Sequence, residues 1–292
     1  MNRLLQLAFA ASTAFFLAAD SPPVKPQAGE EAAVAALKKL DAQVQLDDAG
    51  YAVNVNFREN QKLTDADLAP LEKLSRLKYL SLHNTPITDA GLVHLAKATT
   101  LETLLLGKTK ITDKGFVHLK GLAELQTLNL TGTAVTGSGL EHLAAAKKLG
   151  FFYAGNSQFS DAGMAHLKNH PNLRRLFLSG SKITDAGLVH LAGFDKIGCL
   201  LLQETNIGDA GMAHLKNIKS VGYLWLEGTN VTDAGLVHLK GMTKLGSVGL
   251  SGSKVTDAGV AELRKALPQC GITNDPDSAA RAKKQAEGVQ GK

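Results

Sequence analysis

Seven of the nine histidines fall 24 residues apart: His94, His118, His142, His166, His190, His214 and His238. Imidazoles sharing one column suggest a metal or haem site, but the period argues against it. One histidine then sits on each structural unit, and packed helices stand about 8–10 Å apart. Ligands to one metal need each nitrogen within about 2.1 Å of it. Parallel side chains on successive units do not converge, so the column reads as inter-unit packing or hydrogen bonding, with no metal or cofactor. The two cysteines, Cys199 and Cys270, are too few for a disulfide framework or a cysteine zinc site. Ser, His and Asp are plentiful but recur with the period, as scaffold residues do, whereas a nucleophile and its base must be one unique group set against another. His83 near Ser81 comes closest and has no identifiable orienting carboxylate. There is no P-loop and no glycine fingerprint following a strand. The chain reads as non-enzymatic.

The period also defines the elements that position these residues. The hexamer ITDAGL at Ile87 returns at Ile111, Val135, Phe159, Ile183, Ile207, Val231 and Val255, every step being 24 residues, and a degenerate copy at Leu63 brings the count to nine units. Between hexamers runs L-x-x-L-x-L, as at Leu77, Leu80 and Leu82. Its alternation suits a short strand with one buried face. Thr85, Thr109, Thr133, Ser157, Ser181, Thr205, Thr229 and Ser253 fall where the chain leaves each strand. Their hydroxyls are expected to bond stray backbone groups and to brace one turn against the next. Thr88 reads as an N-cap, with Asp89 at the positive end of a two-turn helix that closes near Lys97. The repeated glycine (Gly91, Gly115 and their equivalents) costs about 1 kcal/mol per helix, so a neighbour must approach too closely there for a side chain. No unit can bury its leucines alone, and stability must come from stacking.

With these motifs quoted, the chain resembles leucine-rich-repeat proteins over most of its length. The ITDAGL phrase is similar to the cysteine-containing, F-box-associated class and to bacterial secreted relatives, although Thr or Ser stands where the former carries Cys or Asn in the turn. The resemblance implies an α/β solenoid: a curved right-handed horseshoe with a parallel sheet on the concave face and short helices on the convex one.

Register then assigns the exposed strand positions. One column runs Tyr79, Thr103, Thr127, Phe151, Arg175, Cys199, Tyr223, Ser247. The next runs Ser81, Leu105, Asn129, Tyr153, Phe177, Leu201, Trp225, Gly249, and a third runs from His83 to Glu227 and Ser251. Phe151, Tyr153, Phe177, Leu201, Tyr223 and Trp225 should make one patch, with Arg175 inside it and Glu227 and Glu204 at its side. Rings and arginine dominate interface energetics, and other units fill these positions with Thr, Ser, Asn and Gly. The expected partner is a protein or peptide; a glycan, or self-association as a structural envelope protein, is the alternative.

Residues 1–19 read as a secretory signal peptide and 20–29 as a linker. Residues 30–57 read as an N-terminal cap, 58–274 as the repeat domain with its C-terminal cap, and 275–292 as a disordered tail. The protein is expected in the periplasm, the cell envelope or the medium, without a membrane span after cleavage. The net charge of +5 is spread over scattered lysines, which does not suit nucleic-acid binding. Cys199 and Cys270 lie three units apart, about 14 Å at the strand spacing, too far for a disulfide.

Overall fold

The computed structural model describes residues 28–274. The segments read as a signal peptide (1–19) and a disordered tail (275–292), and most of the one read as a linker (20–29), lie outside the described residues. Helix α1 (Ala28–Lys39) leads into β1 (Gln43–Leu46) and β2 (Ala52–Asn56), which pair antiparallel. From β2 onward each strand pairs parallel with the next: β3 (Tyr79–Ser81), β4 (Thr103–Leu105), β5 (Thr127–Asn129), β6 (Phe151–Tyr153), β7 (Arg175–Phe177), β8 (Cys199–Leu201), β9 (Tyr223–Trp225), β10 (Ser247–Gly249) and β11 (Gly271–Thr273). The 11 strands form one open sheet whose spatial order is the chain order. The chain is a leucine-rich-repeat solenoid.

Side-chain alternation explains why such short strands suffice. The middle residue of each trio from β3 to β10 (Leu80, Leu104, Leu128, Phe152, Leu176, Leu200, Leu224, Val248) is fully buried, and its neighbours point to the opposite face. Each such side chain contributes about 2 kcal/mol by leaving water, and only the adjacent units can cover it. Short helices close the other side. Up to Leu143 these are 3₁₀ helices, such as Asp89–Leu95 and Asp113–Leu119. Later units open with α-helices: α2 (Asp161–His166), α3 (Asp185–Leu188), α4 (Asp209–Leu215), α5 (Asp233–Leu236) and α6 (Asp257–Ala266).

Two expectations about local bracing change. The Thr/Ser hydroxyls do not brace the next turn. Thr85 Oγ1 donates to the Leu82 carbonyl at 2.7 Å, inside its own turn, and Thr109, Thr133, Ser157, Thr205, Thr229 and Ser253 repeat the bond. That carbonyl, at the strand exit, is the acceptor within closest reach. The inter-unit brace is instead the hexamer aspartate. Asp65 accepts the Thr88 amide at 2.8 Å and its hydroxyl at 2.6 Å. Asp89, Asp161, Asp209 and Asp233 hold Thr112, Thr184, Thr232 and Thr256 in the same way. Charge-assisted bonds of this kind are short and strong. They also explain the repeated glycine, because a Cβ on Gly91 would lie 2.6 Å from Asp65 Oδ1. The threonine still caps its helix: Thr88 Oγ1 accepts from the Ala90 amide at 3.3 Å. Gly137 occupies the aspartate position of its unit, so Ser160 bonds the Thr136 carbonyl instead. Gly137 adopts φ +98°, and a Cβ there would stand 2.5 Å from Gly163 Cα.

Candidate functional site

Parallel, in-register pairing carries Phe151, Arg175, Cys199 and Tyr223 across β6 to β9 as one row, and Tyr153, Phe177, Leu201 and Trp225 as a second row on the same face. Neighbouring strands stand about 4.8 Å apart, so adjacent side chains touch. The Tyr153 and Phe177 rings meet edge-on, with centroids 4.7 Å apart. The Arg175 guanidinium lies 5.4 Å from the Phe151 ring centre, within reach of a cation–π contact. Burial raises the Tyr153 phenol above its ordinary pKa, with Arg175 opposing the shift. Tyr223 is 56% exposed, Arg175 is exposed, and Phe151, Tyr153, Phe177, Leu201 and Trp225 are half-buried. The face changes character along the solenoid. Ser81 and Asn129 in the early units are small, polar and buried.

Glu227 is not at the edge of this patch in open solvent, as its column position suggested. It is 3% exposed, and neither carboxylate oxygen has a hydrogen-bond partner. The reason is Gly249, the one glycine in the second column. A Cβ there would stand 2.0 Å from Glu227 Oε1 and 2.3 Å from Trp225 Cε3, so carboxyl and indole both lean into the space the glycine leaves. Burial pushes the Glu227 carboxyl up to about 7; the amides of Glu227 and Leu226 lie near enough to oppose the shift but outside hydrogen-bond geometry. Beside it, the Glu204 amide donates to the Glu227 carbonyl at 2.8 Å. Sequence reasoning named Glu227 but missed Gly249; the gap in an otherwise side-chain-bearing column was the available signal.

The remaining chemistry-bearing residues do not assemble. Cys199 is half-buried within the patch, and burial raises its thiol to about 11, which keeps it neutral. His83 is buried and its pKa is lowered by desolvation, with Arg58 and Lys108 adding to the effect. In the histidine column, His94 Nδ1 stands 2.6 Å from Glu72 of the preceding unit, an inter-unit contact that lowers the Glu72 carboxyl pKa. Among the described residues no group of three His, Cys, Asp or Glu side chains is placed to hold a metal.

A family model described as Leucine Rich repeat matches residues 124–144 and 169–192. Among solved structures, internalin C2 of Listeria monocytogenes is 22% identical, with 86% of this chain and 95% of that chain covered and a TM-score of 0.54. The PEPR1–AtPEP1 structure is 17% identical over 79% of this chain and 36% of that one, at a TM-score of 0.51. A leucine-rich-repeat protein of Leptospira interrogans is 18% identical over 70% of this chain and 62% of that one, at 0.46. This chain thus spans less than two thirds of the latter two. No curated protein matches the sequence. The periodic sequence, the open parallel sheet, the two matched repeats and the likeness to internalin C2 together give this chain the leucine-rich-repeat fold.

Proposed function

We propose that the protein is exported and works by holding a protein or peptide partner against the concave face of β6 to β9, without doing chemistry on it. The observation that carries this reading is the two adjoining rows of half-exposed rings and Arg175 on a rigid sheet. Rings contribute large contact area with few rotatable bonds, and a sheet that holds them in place reduces the ordering cost of association. Export rests on the leader-like residues 1–19; among the described residues no helix is long and apolar enough to cross a membrane.

The test replaces Tyr153, Phe177 and Trp225 together with Ala and compares capture of partners from the native envelope or extracellular fraction. Interface rings of this kind are worth about 2 kcal/mol each or more, so a partner held by wild type should be lost from the variant. Retention of the same proteins by the triple variant would overturn the assignment of the face. If wild type proves a dimer that the variant converts to monomer, the partner is a second copy.

A further inference from the structure

Several cations at the strand entrances are matched from within the chain. Lys78, one residue before β3, pairs at 3.2 Å with Glu102, which holds the same position before β4. Lys148 pairs with Glu124 at 2.6 Å, and Lys196 Nζ donates to Asn172 Oδ1 at 2.7 Å. Arg174 and Arg175 break this pattern. Both are exposed, and among the described residues neither guanidinium makes an ion pair. Arg174 holds the Lys78 position before β7, but its neighbours in that column are glycines. The Arg174 amide donates to the Gly150 carbonyl, and the Gly198 amide donates to the Arg174 carbonyl. The space over both glycines is open, since a Cβ on either would meet only backbone oxygens, at 3.5 Å or more. Arg175 stands among neutral groups: the Phe151 ring lies 5.4 Å away, and its charge reaches the Tyr153 phenol and the Cys199 thiol. A guanidinium is a planar fork of donors that fits a carboxylate two bonds at a time. An exposed cation set among rings, beside a second one whose column lacks the acid an earlier unit supplies, is matched to an acid from outside.

We propose that Arg174 and Arg175 receive the side-chain carboxylate of an acidic residue in a peptide segment of the partner, whose flanking apolar residues cover the ring rows. This deepens the docking reading and rests on the concave face being the docking surface. The rings set what stands next to the acid. Phe151 and Tyr153 lie on the strand before Arg175, Leu201 on the strand after it, and Phe177 two residues along its own. The fitting segment is therefore one acid among aromatic or aliphatic residues, and not a uniformly acidic run. A pair covered by those residues is screened less by salt than one in open water.

Full-length protein is the bait for a phage library of random peptides whose C-termini are fused to the coat protein, so that only side chains offer carboxylates. The expected result is enrichment of peptides with Asp or Glu beside aromatic or aliphatic residues. The acidic preference should vanish when the bait carries Arg174→Gln and Arg175→Gln together, with folding checked by circular dichroism. The strongest peptide, made with an amidated C-terminus, is then titrated by calorimetry beside a copy whose acid is replaced by the matching amide. Replacing the acid, or Arg175→Gln in the protein, should each weaken binding by about tenfold. Made together, the two changes should cost no more than either alone, because both remove the same pair. Inorganic phosphate should not displace the peptide. No enriched peptide, enrichment without acidic residues, full additivity of the two changes, or displacement by phosphate would overturn the carboxylate site. If the triple-alanine variant loses a peptide that the double arginine variant still binds fully, the docking face stands and the arginine site fails. If the triple-alanine variant keeps the peptide, the face fails and the proposal with it.

Discussion

Glu30 and Glu227 are each 3% exposed, one against the first repeat and the other on the concave face of a late one, and their surroundings are opposite. Glu30 ties α1 to β2 and to the first repeat through three hydrogen bonds. Glu227 has none. Burial alone therefore does not tell whether a carboxyl holds the fold together; the count of satisfied oxygens does. At the cap the fold supplies donors because α1 must be held over an otherwise open layer of leucines. At β9 and β10 it supplies no donor, only the space beside Gly249 that the Glu227 carboxyl and the Trp225 indole fill.

The largest expected effect comes from the cap. Glu30→Ala leaves the Ala52 and Ser75 amides without their acceptor and should lower stability by about 3 kcal/mol, read as a lower urea midpoint and faster hydrogen exchange at those two amides. An unchanged midpoint would erase the contrast from its satisfied side. Glu227→Gln should act the other way and depend on pH. The folded carboxyl sits at about 7 against an ordinary 4.5, so between these values the native state holds a proton that the unfolded chain has released. Wild-type stability then falls as pH rises from about 4.5 to about 7 and is level above that. The variant lacks this loss, and its advantage over wild type should grow by up to about 3 kcal/mol across the window. A pH-independent difference between the two proteins would refute the unpaired state of Glu227. The smallest effect repeats the comparison with hydroxyls. Thr133 donates to the Leu130 carbonyl, whereas the buried Thr131 Oγ1 has no partner. Thr133→Val should cost about 1 kcal/mol, and Thr131→Val should stay within about 0.5 kcal/mol of wild type or gain, both measured by thermal unfolding.

Much of the architecture could be read from the residues because a solenoid turns register into arithmetic. The 24-residue step predicts that Tyr153, Phe177, Leu201 and Trp225 lie side by side, and the strands pair them so. Bracing was harder to read. Asp89 looks like a charge for its own helix end, and it is; its bonds, however, go to Thr112 in the next unit. A column shows that two residues recur, not which one reaches across.

The sequence by itself determined the repeat length, the strand trio in each unit and the face each residue takes, because parallel in-register stacking preserves side-chain parity over any number of units. Only the tertiary structure decided how each side chain leans once there. Glu227 and Trp225 are drawn together by a side chain missing from the following strand, at Gly249. That packing depends on the shapes of neighbours in space, and no period along one chain encodes it.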